Sequence, residues 1–369
     1  MTTHATPGAL TPGQLVLADG SVFEGELIGA RAPIATGEVV FNTALSGYQE
    51  IITDPSYAGQ MVTMTYPLIG NYGVNDEDDE SSRPHVKALI MKECCRRPSN
   101  YRASGPLSEY LARHGVLGVQ GIDTRELTRR VRIEGVMNAA VSTEDPDPDS
   151  LVAKARAWEG LEGKDLAGQV TCAEPYSVGE GRYHVVAYDF GIKRNIVRCL
   201  VESGCRVTVV PATTPAEEAL SLNPDGFFLS NGPGDPRPLD YAIETCRQLL
   251  GMRPIFGICL GHEILGLALG AKIFRLKFGH RGANQPIKEF ATDRILITSE
   301  NHGWGIEADS LPDSLEVTRL NLNDQCVEGM RHKELPVFSI QCHPEAAPGP
   351  HDSYHLFAHF VELMEKHAA

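Results

Sequence analysis

The sequence predicts an α/β protein: an N-terminal mixed β/α domain, then a second domain with a largely parallel central sheet flanked by helices. A length of 369 residues suggests two domains. From residue 184 onward, short apolar strands alternate with helices, which is typical of a parallel sheet with crossover helices. Before that point, strands come first and helices later. We place the boundary in the Gly-rich segment 178–182, which gives domains 1–182 and 183–369.

The composition excludes several classes of protein. Hydrophobic residues make up 42% and charged residues 22%, as in ordinary soluble domains. The net charge of −15 argues against binding to nucleic acid or to an anionic membrane. The nine cysteines show no zinc-type spacing, so we expect free thiols and no metal. No signal peptide or membrane-spanning run is recognisable, and we expect a cytoplasmic protein.

The N-terminal domain is expected to begin with a loose tail at 1–13. Two apolar runs around Asp19-Gly20 predict a β-hairpin over 15–23, because this dipeptide suits a tight turn. Alternating or apolar segments predict further strands at 37–41 and 60–66. The acidic run 75–82 is interpreted as a solvated loop. Amphipathic patterns predict helices over 108–114 and 123–132.

The second domain is expected to contain a regular β/α alternation. The predicted strands are 184–188, 205–210, 226–229 and 254–258, and the predicted helices are 193–203, 215–222 and 241–250. After Gly270 the strands are expected to be shorter and less regular. Apolar residues on one face predict a final amphipathic helix over 352–367.

Cys259 lies in the run Gly-Ile-Cys-Leu-Gly, between a predicted strand and a predicted helix. Strand, sharp turn and helix form the layout of a nucleophile elbow. The start of a helix favours a thiolate over a thiol. A cysteine taken alone is more often a buried structural residue.

Two further segments end predicted strands and complete a possible catalytic set. Phe338–Glu345 supplies His343 as a base and Glu345 as its orienting carboxylate, although a lone histidine is more often structural. The glycines of Asn231–Gly234 allow backbone N–H groups to approach a reacting carbonyl. The amides of Gly232 and Leu260 are our candidates for an oxyanion hole. Taken alone, Asn-Gly-Pro-Gly would simply be a turn.

Together, Gly-Ile-Cys-Leu-Gly-His, Asn-Gly-Pro-Gly-Asp-Pro and Gln-x-His-Pro-Glu resemble the motifs of class I glutamine amidotransferases, in the same order. From about Leu15 to its end, the chain more narrowly resembles the small-subunit family of carbamoyl-phosphate synthase. The segments that carry this narrower resemblance are 40–50, 53–57, 121–125, 188–195 and 344–351.

The resemblance implies a role for each matching residue. Cys259 would attack the glutamine amide and form a thioester, His343 would be the acid/base, Glu345 would orient it, and the amides of Gly232 and Leu260 would hold the oxyanion. The remaining residues of the glutamine pocket would be Ser56, Gly234, Glu263, Asn301, Gly303 and Trp304.

The same resemblance implies a partner. Ammonia would pass to a large subunit of a heterodimer, which would use ATP, Mg and bicarbonate to make carbamoyl phosphate for pyrimidine and arginine synthesis. No cofactor is expected in this chain, because it has no Gly-rich phosphate loop followed by Lys-Ser/Thr.

Three residues depart from the family pattern. Glu263 stands where Gln is usual, Trp304 where Phe is common, and Cys342 where Gly often stands. A carboxylate at 263 could pair with the substrate ammonium, repel its carboxylate, or be protonated by burial. Glu263 gives weight to one alternative, a catalytically silent regulatory or scaffold subunit. A second alternative is the glutaminase of another synthase, against which the N-terminal domain argues. Hydrolysis of glutamyl peptides is a third.

Overall fold

The chain is described here by a computed structural model that covers residues 11–368. Contacts between residues group them into two units. The first comprises 11–53 and 59–160, and the second comprises 54–58 and 161–368. The domain boundary expected after residue 182 stays a prediction.

The first unit contains a closed β-barrel and a separate strand pair. Its strands are β1 (Thr11–Leu17), β2 (Val22–Gly29), β3 (Ala35–Asn42), β4 (Gln60–Met64), β5 (Leu68–Ile69), β6 (Ala88–Ile90), β7 (Glu93–Cys94), β8 (Leu117–Gln120) and β9 (Met137–Val141). The barrel order is β1-β2-β8-β6-β4-β3-β9, and β5 pairs with β7. The predicted hairpin is confirmed, since β1 and β2 pair in antiparallel fashion around Gly20, whose φ of +98° suits glycine.

The helices of the first unit are α1 (Tyr48–Thr53), α2 (Leu107–Arg113), α3 (Thr124–Glu134) and α4 (Pro148–Ala157). The predicted helices over 108–114 and 123–132 are confirmed as α2 and α3. The Asp123 side chain caps α3 by accepting a 2.9 Å hydrogen bond from the Glu126 N–H. Most of the expected N-terminal tail lies outside the described residues. From residue 11 the prediction is wrong, because 11–13 already belong to β1.

The second unit is built on one ten-stranded sheet. Its strands are β10 (Tyr176–Val178), β11 (Tyr183–Asp189), β12 (Cys205–Pro211), β13 (Gly226–Leu229), β14 (Ile255–Ile258), β15 (Ile273–Glu289), β16 (Arg294–Ile306), β17 (Leu315–Asn321), β18 (Val327–His332) and β19 (Val337–Ile340). The order is β10-β12-β11-β13-β14-β19-β18-β17-β15-β16. The five strands from β12 to β19 in this order are parallel, as the β/α alternation predicts.

The helices of the second unit are α5 (Ala167–Val170), α6 (Arg194–Glu202), α7 (Ala216–Ser221), α8 (Asp240–Leu249), α9 (Leu260–Leu269) and α10 (His355–Ala368), with short 3₁₀ helices at Pro55–Tyr57 and Ala308–Ser310. Helices α6 to α9 connect successive strands from β11 to β15. Along the described part of the chain, no helix combines the length and apolar character needed to cross a bilayer.

The segment expected as a linker, 178–182, begins with the last residue of β10, which pairs with β12, and leads directly into β11. The strands after Gly270 are less regular, as expected, but the first two are long and not short, since β15 has 17 residues and β16 has 13. Register shifts between Arg275 and His280 and between Gly282 and Gln285 interrupt their pairing. Such irregularities break the two-residue side-chain period by which a long strand is recognised in sequence.

Both faces of the parallel sheet are covered by apolar side chains. Successive residues of one strand enter different core clusters, as with Phe227 and Phe228 of β13. Phe256 of β14 stacks on Phe338 of β19, with ring centroids 4.3 Å apart. This packing fixes β14 and β19 side by side, so the residues that follow them emerge at one edge of the sheet.

Candidate active site

Cys259 occupies a sharp turn between β14 and α9. Its φ of +53° and ψ of −108° are strained for a residue other than glycine. Glycines make the turn possible: a β-carbon at Gly257 would lie 2.7 Å from the Gly261 carbonyl oxygen, and one at Gly261 would lie 2.8 Å from Leu229 Cβ. The predicted strand–turn–helix layout of the elbow is therefore present.

The Cys259 thiol is buried, with only 2% of the residue exposed. Burial raises its pKa well above the ordinary value, and the nearby carboxyls of Glu263 and Asp54 act in the same direction. A backbone hydrogen bond from Leu260 opposes them without prevailing. The helix start favours a thiolate, but desolvation of the buried sulfur outweighs that effect. The thiol needs a base.

His343 follows β19, the parallel neighbour of β14, with Ile340 paired opposite Ile258. Its N–H donates to the Ser299 carbonyl at 2.8 Å, and its Nδ1 lies 2.7 Å from Glu345 Oε1. A carboxylate only accepts, so Nδ1 carries the hydrogen and Nε2 holds the lone pair. Within the described residues, the buried Nε2 has no hydrogen-bond partner. The histidine is thus oriented to take a proton at Nε2.

Glu345 is held as a carboxylate by Lys193. The Lys193 Nζ lies 3.0 Å from Glu345 Oε1, and both side chains are buried. Although burial opposes ionisation, Lys193 and His343 lower the pKa of Glu345 to about 2. The Asn195 side chain also donates to the Glu345 carbonyl at 2.6 Å. Lys193 was not among the predicted site residues, although the segment 188–195 carried part of the family resemblance.

A chain of hydrogen bonds brings together three predicted site residues of the second unit. The Asn231 Nδ2 donates to Ser56 Oγ at 2.9 Å, and the Ser56 N–H donates to Asp54 Oδ1 at 2.8 Å. The Asn301 Nδ2 donates to Asp54 Oδ2 at 3.0 Å, and the Asn301 carbonyl lies 3.7 Å from Cys259 Sγ. Ser56, Asn301 and Cys259 are therefore connected. Asp54 was missed, although it precedes Ser56 in a segment that resembles the family.

The two glycines of the predicted oxyanion loop are sterically required. A β-carbon at Gly232 would lie 2.7 Å from Leu260 Cδ2, so Gly232 lies directly against Leu260. Gly234 has a φ of +83°, which favours glycine. This proximity suits the paired roles predicted for Gly232 and Leu260, and those roles stay predictions.

Glu263 lies in the first turn of α9, buried with 2% exposure. Its Oε1 accepts a 3.1 Å hydrogen bond from the Gln341 Nε2. Burial raises the pKa of Glu263 to about 8, so it is a neutral carboxylic acid at pH 7. Of the three possibilities that the sequence left open, the structure favours protonation by burial.

The remaining pocket candidates lie on β16. The Trp304 ring has the Arg237 guanidinium 4.4 Å and the Arg275 guanidinium 5.7 Å from its centroid, which suits cation–π contacts. A β-carbon at Gly303 would lie 3.2 Å from an Arg281 nitrogen.

Cys342, beside His343, is buried, and burial raises its thiol pKa well above the ordinary value, as expected for an inert cysteine.

Comparisons with known proteins match both units. A family model described as glutamine amidotransferase class-I matches residues 186–363, and one described as the CPSase domain of the carbamoyl-phosphate synthase small chain matches residues 15–141.

Three relatives, each described as a carbamoyl phosphate synthase small chain, resemble the chain over most of its length. The protein from Syntrophotalea carbinolica is 56% identical over 367 residues, which cover 95% of this chain and 97% of the relative. The protein from Chlorobaculum tepidum is 55% identical, covering 96% and 98% respectively. The protein from Escherichia coli is 50% identical, covering 88% and 90%. The chain belongs to the carbamoyl-phosphate synthase small chain family.

Proposed function

We propose that this chain is the glutamine-hydrolysing subunit of a carbamoyl-phosphate synthase and that Cys259 carries the reaction. One observation carries the catalytic part. His343, on the loop after β19 beside the elbow strand, donates through Nδ1 to Glu345, and its buried Nε2 has no hydrogen-bond partner among residues 11–368. This is the arrangement that a buried thiol with a raised pKa requires in a base.

The reaction follows in two halves. His343 Nε2 takes the Cys259 proton while sulfur attacks the side-chain carbonyl carbon of glutamine, giving a tetrahedral oxyanion. The oxyanion collapses, the C–N bond breaks, and His343 returns the proton to the leaving nitrogen, which departs as ammonia. Water, deprotonated by His343, then attacks the thioester, and glutamate leaves as the sulfur is released and reprotonated.

Fixed groups would stabilise the charges in these steps. The amides of Gly232 and Leu260 would hold the oxyanion, and Glu345, kept ionised by Lys193, would stabilise the imidazolium of His343. Ser56, Gly234, Glu263, Asn301, Gly303 and Trp304 would line the glutamine pocket. Neutral Glu263 can donate one hydrogen bond, as the usual Gln amide can, without adding a negative charge.

We propose that the ammonia passes to a large partner subunit in a heterodimer. That partner would use ATP, Mg and bicarbonate to form carbamoyl phosphate for pyrimidine and arginine synthesis, and this chain itself would need no cofactor for catalysis. The family membership supports the partner. A cytoplasmic location is also proposed, and nine cysteines without a disulfide fit a reducing compartment.

The test compares the glutaminase activities of two variants, Cys259→Ser and Cys246→Ser. The second is the control, because Cys246 is a buried cysteine of α8. Cys259→Ser should lose activity by at least about 10³-fold with unchanged thermal unfolding, because serine is a far weaker nucleophile beside the same base. Cys246→Ser should keep it. A silent scaffold subunit would instead show no glutaminase activity in the wild type, with or without the large subunit.

A further inference from the structure

Four buried side chains from three strands of the second unit converge away from the catalytic triad. They are His280 of β15, Glu300 and His302 of β16, and Glu328 of β18, each at most 6% exposed. One nitrogen or oxygen from each lies within 4.8 Å of the corresponding atoms of the others. Two imidazoles and two carboxylates are a donor set for a divalent transition ion.

The spacing of these atoms fits a single ion. Glu300 Oε2 lies 3.0 Å from His280 Nδ1 and 3.3 Å from His302 Nε2, and His280 Nδ1 lies 3.6 Å from Glu328 Oε1. A zinc ion with bonds of about 2.0–2.2 Å in tetrahedral geometry keeps its ligand atoms about 3.3–3.6 Å apart. The observed separations lie at or close to this range.

The outer nitrogens of both histidines already donate elsewhere. His302 Nδ1 lies 2.7 Å from the Trp304 carbonyl oxygen, and His280 Nε2 lies 2.7 Å from Asp324 Oδ2. Carbonyl and carboxylate oxygens accept, so each of these nitrogens carries a hydrogen. If a cation keeps both imidazoles neutral, their inner nitrogens are the ones that present lone pairs to it. Metal-binding histidines are commonly held in this way, by an outer N–H donated to a carboxylate or a carbonyl.

Asn321 supports the same assignment. Its Oδ1 accepts from the Asn323 N–H at 2.9 Å, which turns its Nδ2 towards the cluster. That Nδ2 lies 3.2 Å from Glu328 Oε1 and 3.4 Å from His280 Nδ1. A donor beside His280 Nδ1 is compatible with a lone pair at that nitrogen, as metal binding requires.

One oxygen of the cluster lacks a partner. Within residues 11–368, the buried Oε2 of Glu328 has no hydrogen bond. A buried carboxylate oxygen left unsatisfied is costly. Protonation of both histidines would satisfy Glu300 but would still leave this oxygen alone. A divalent cation can be reached by either oxygen of a carboxylate, and its two charges balance Glu300 and Glu328.

We propose that His280, Glu300, His302 and Glu328 bind one divalent cation of the zinc type. The ion ties β15, β16 and β18 together and fixes the Asn301–Trp304 segment of β16, in which His302 lies. Its role is structural, because all four positions of the ion are taken by protein. The expectation of no metal rested on local sequence spacing, and these ligands span residues 280 to 328 on three strands.

The test is metal content of the full chain, purified without a polyhistidine tag, dialysed against zinc and then against buffer. Wild type should retain about one zinc per chain. Glu328→Gln should lower zinc affinity by at least about 10-fold, since it removes one charged ligand. Glu316→Gln, on neighbouring β17, is the matched control and should bind like wild type, because Glu316 pairs with Arg331 at the surface.

Two further measurements use the wild-type chain alone and so do not depend on whether the variants fold. Wild-type chain loaded with Co²⁺ should show the intense visible absorption of a four-coordinate ion, and excess zinc should remove it. A strong chelator should lower the unfolding temperature of wild type, and zinc should restore it. Zinc retention by wild type no greater than by Glu328→Gln, with no cobalt absorption, would overturn the proposal and leave a protonated ion-pair network.

Discussion

At the scale of single residues, the site depends on ionisable side chains that are buried and paired with one another. Cys259, His343, Glu345 and Lys193 are all nearly inaccessible to water. Buried charges are tolerated when paired and hydrogen-bonded, and removing one partner leaves the other uncompensated. Lys193 is therefore a positioning residue, which acts on His343 through Glu345.

The first prediction concerns Lys193→Met. Without the ammonium, the pKa of Glu345 should rise, because burial is then opposed by less positive charge. We expect a stability loss of about 3–5 kcal/mol and a glutaminase rate that recovers in part between pH 7 and pH 9. Lys154→Met is the control. It breaks an exposed 2.6 Å pair with Asp145 and should cost less than about 1 kcal/mol. Equal losses of stability in both variants would contradict the account.

The second prediction concerns Glu263→Gln. The folded pKa of Glu263 is about 8, against about 4.3 for an unfolded glutamate. Between these values the unfolded chain releases the proton while the folded chain retains it. This residue's contribution to stability therefore falls as pH rises, by up to about 1.4 kcal/mol per pH unit.

Urea unfolding from pH 5 to pH 9 measures this effect. The free energy of unfolding of Glu263→Gln, relative to that of the wild type, should rise between about pH 4.3 and pH 8 and then level off. A difference that does not change with pH would mean that Glu263 is ionised in the folded chain. The same variant should also keep its glutamine affinity above pH 8, where Glu263 of the wild type loses its proton and becomes negatively charged.

At the scale of elements, the elbow depends on glycines at positions where two backbones meet. Gly261 is the second residue of α9 and packs against Leu229 at the end of β13. The helix can start immediately after the strained Cys259 only because no side chain stands there. The backbone conformation at residue 259 is thus imposed by packing on both sides of it.

The third prediction follows for Gly261→Ala. Its β-carbon would clash with backbone and side-chain atoms of Leu229, so β13 and α9 would have to separate. We expect a stability loss of about 1–3 kcal/mol, as for an overpacked core, together with reduced glutaminase activity. Gly105→Ala, where a β-carbon meets nothing within 4 Å, is the control and should be nearly neutral. Differential scanning calorimetry compares them, and a neutral Gly261→Ala would refute the steric account.

Much at this scale was predictable from sequence, and the failures have definite causes. Strands β11 to β14 and their helices follow the simple periodicity of a parallel sheet, so the positions of Cys259 and His343 at one sheet edge could be predicted. Strands β15 and β16 could not, because bulges and polar residues interrupt their pattern. The cation proposed for His280, Glu300, His302 and Glu328 was hidden for the same reason.

Contacts distant in sequence set a second limit. Lys193 and Glu345 are 152 positions apart, and Asp54 and Asn301 are 247 apart. Periodicity carries no information about such pairs, and only the family resemblance marked their segments. The raised pKa of Cys259 was likewise not predictable, because a sequence shows the helix start but not the depth of burial.

At the scale of the whole molecule, the chain combines a barrel unit with an α/β unit, and each is matched by its own family model. The glutamine chemistry proposed here belongs to the second unit alone. The product ammonia has no further reaction partner among the residues assigned to that site. The central claim is therefore that this chain supplies ammonia to another subunit.

The most direct test is carbamoyl phosphate formation by the complex of this chain with its large subunit, measured with glutamine or with ammonia as nitrogen donor. For Cys259→Ser, we predict that glutamine-dependent synthesis falls by at least about 10³-fold. Ammonia-dependent synthesis should stay within about two-fold of wild type, because that step uses none of the Cys259 chemistry. Glutamine-dependent synthesis that survives in the Cys259→Ser complex would contradict the account.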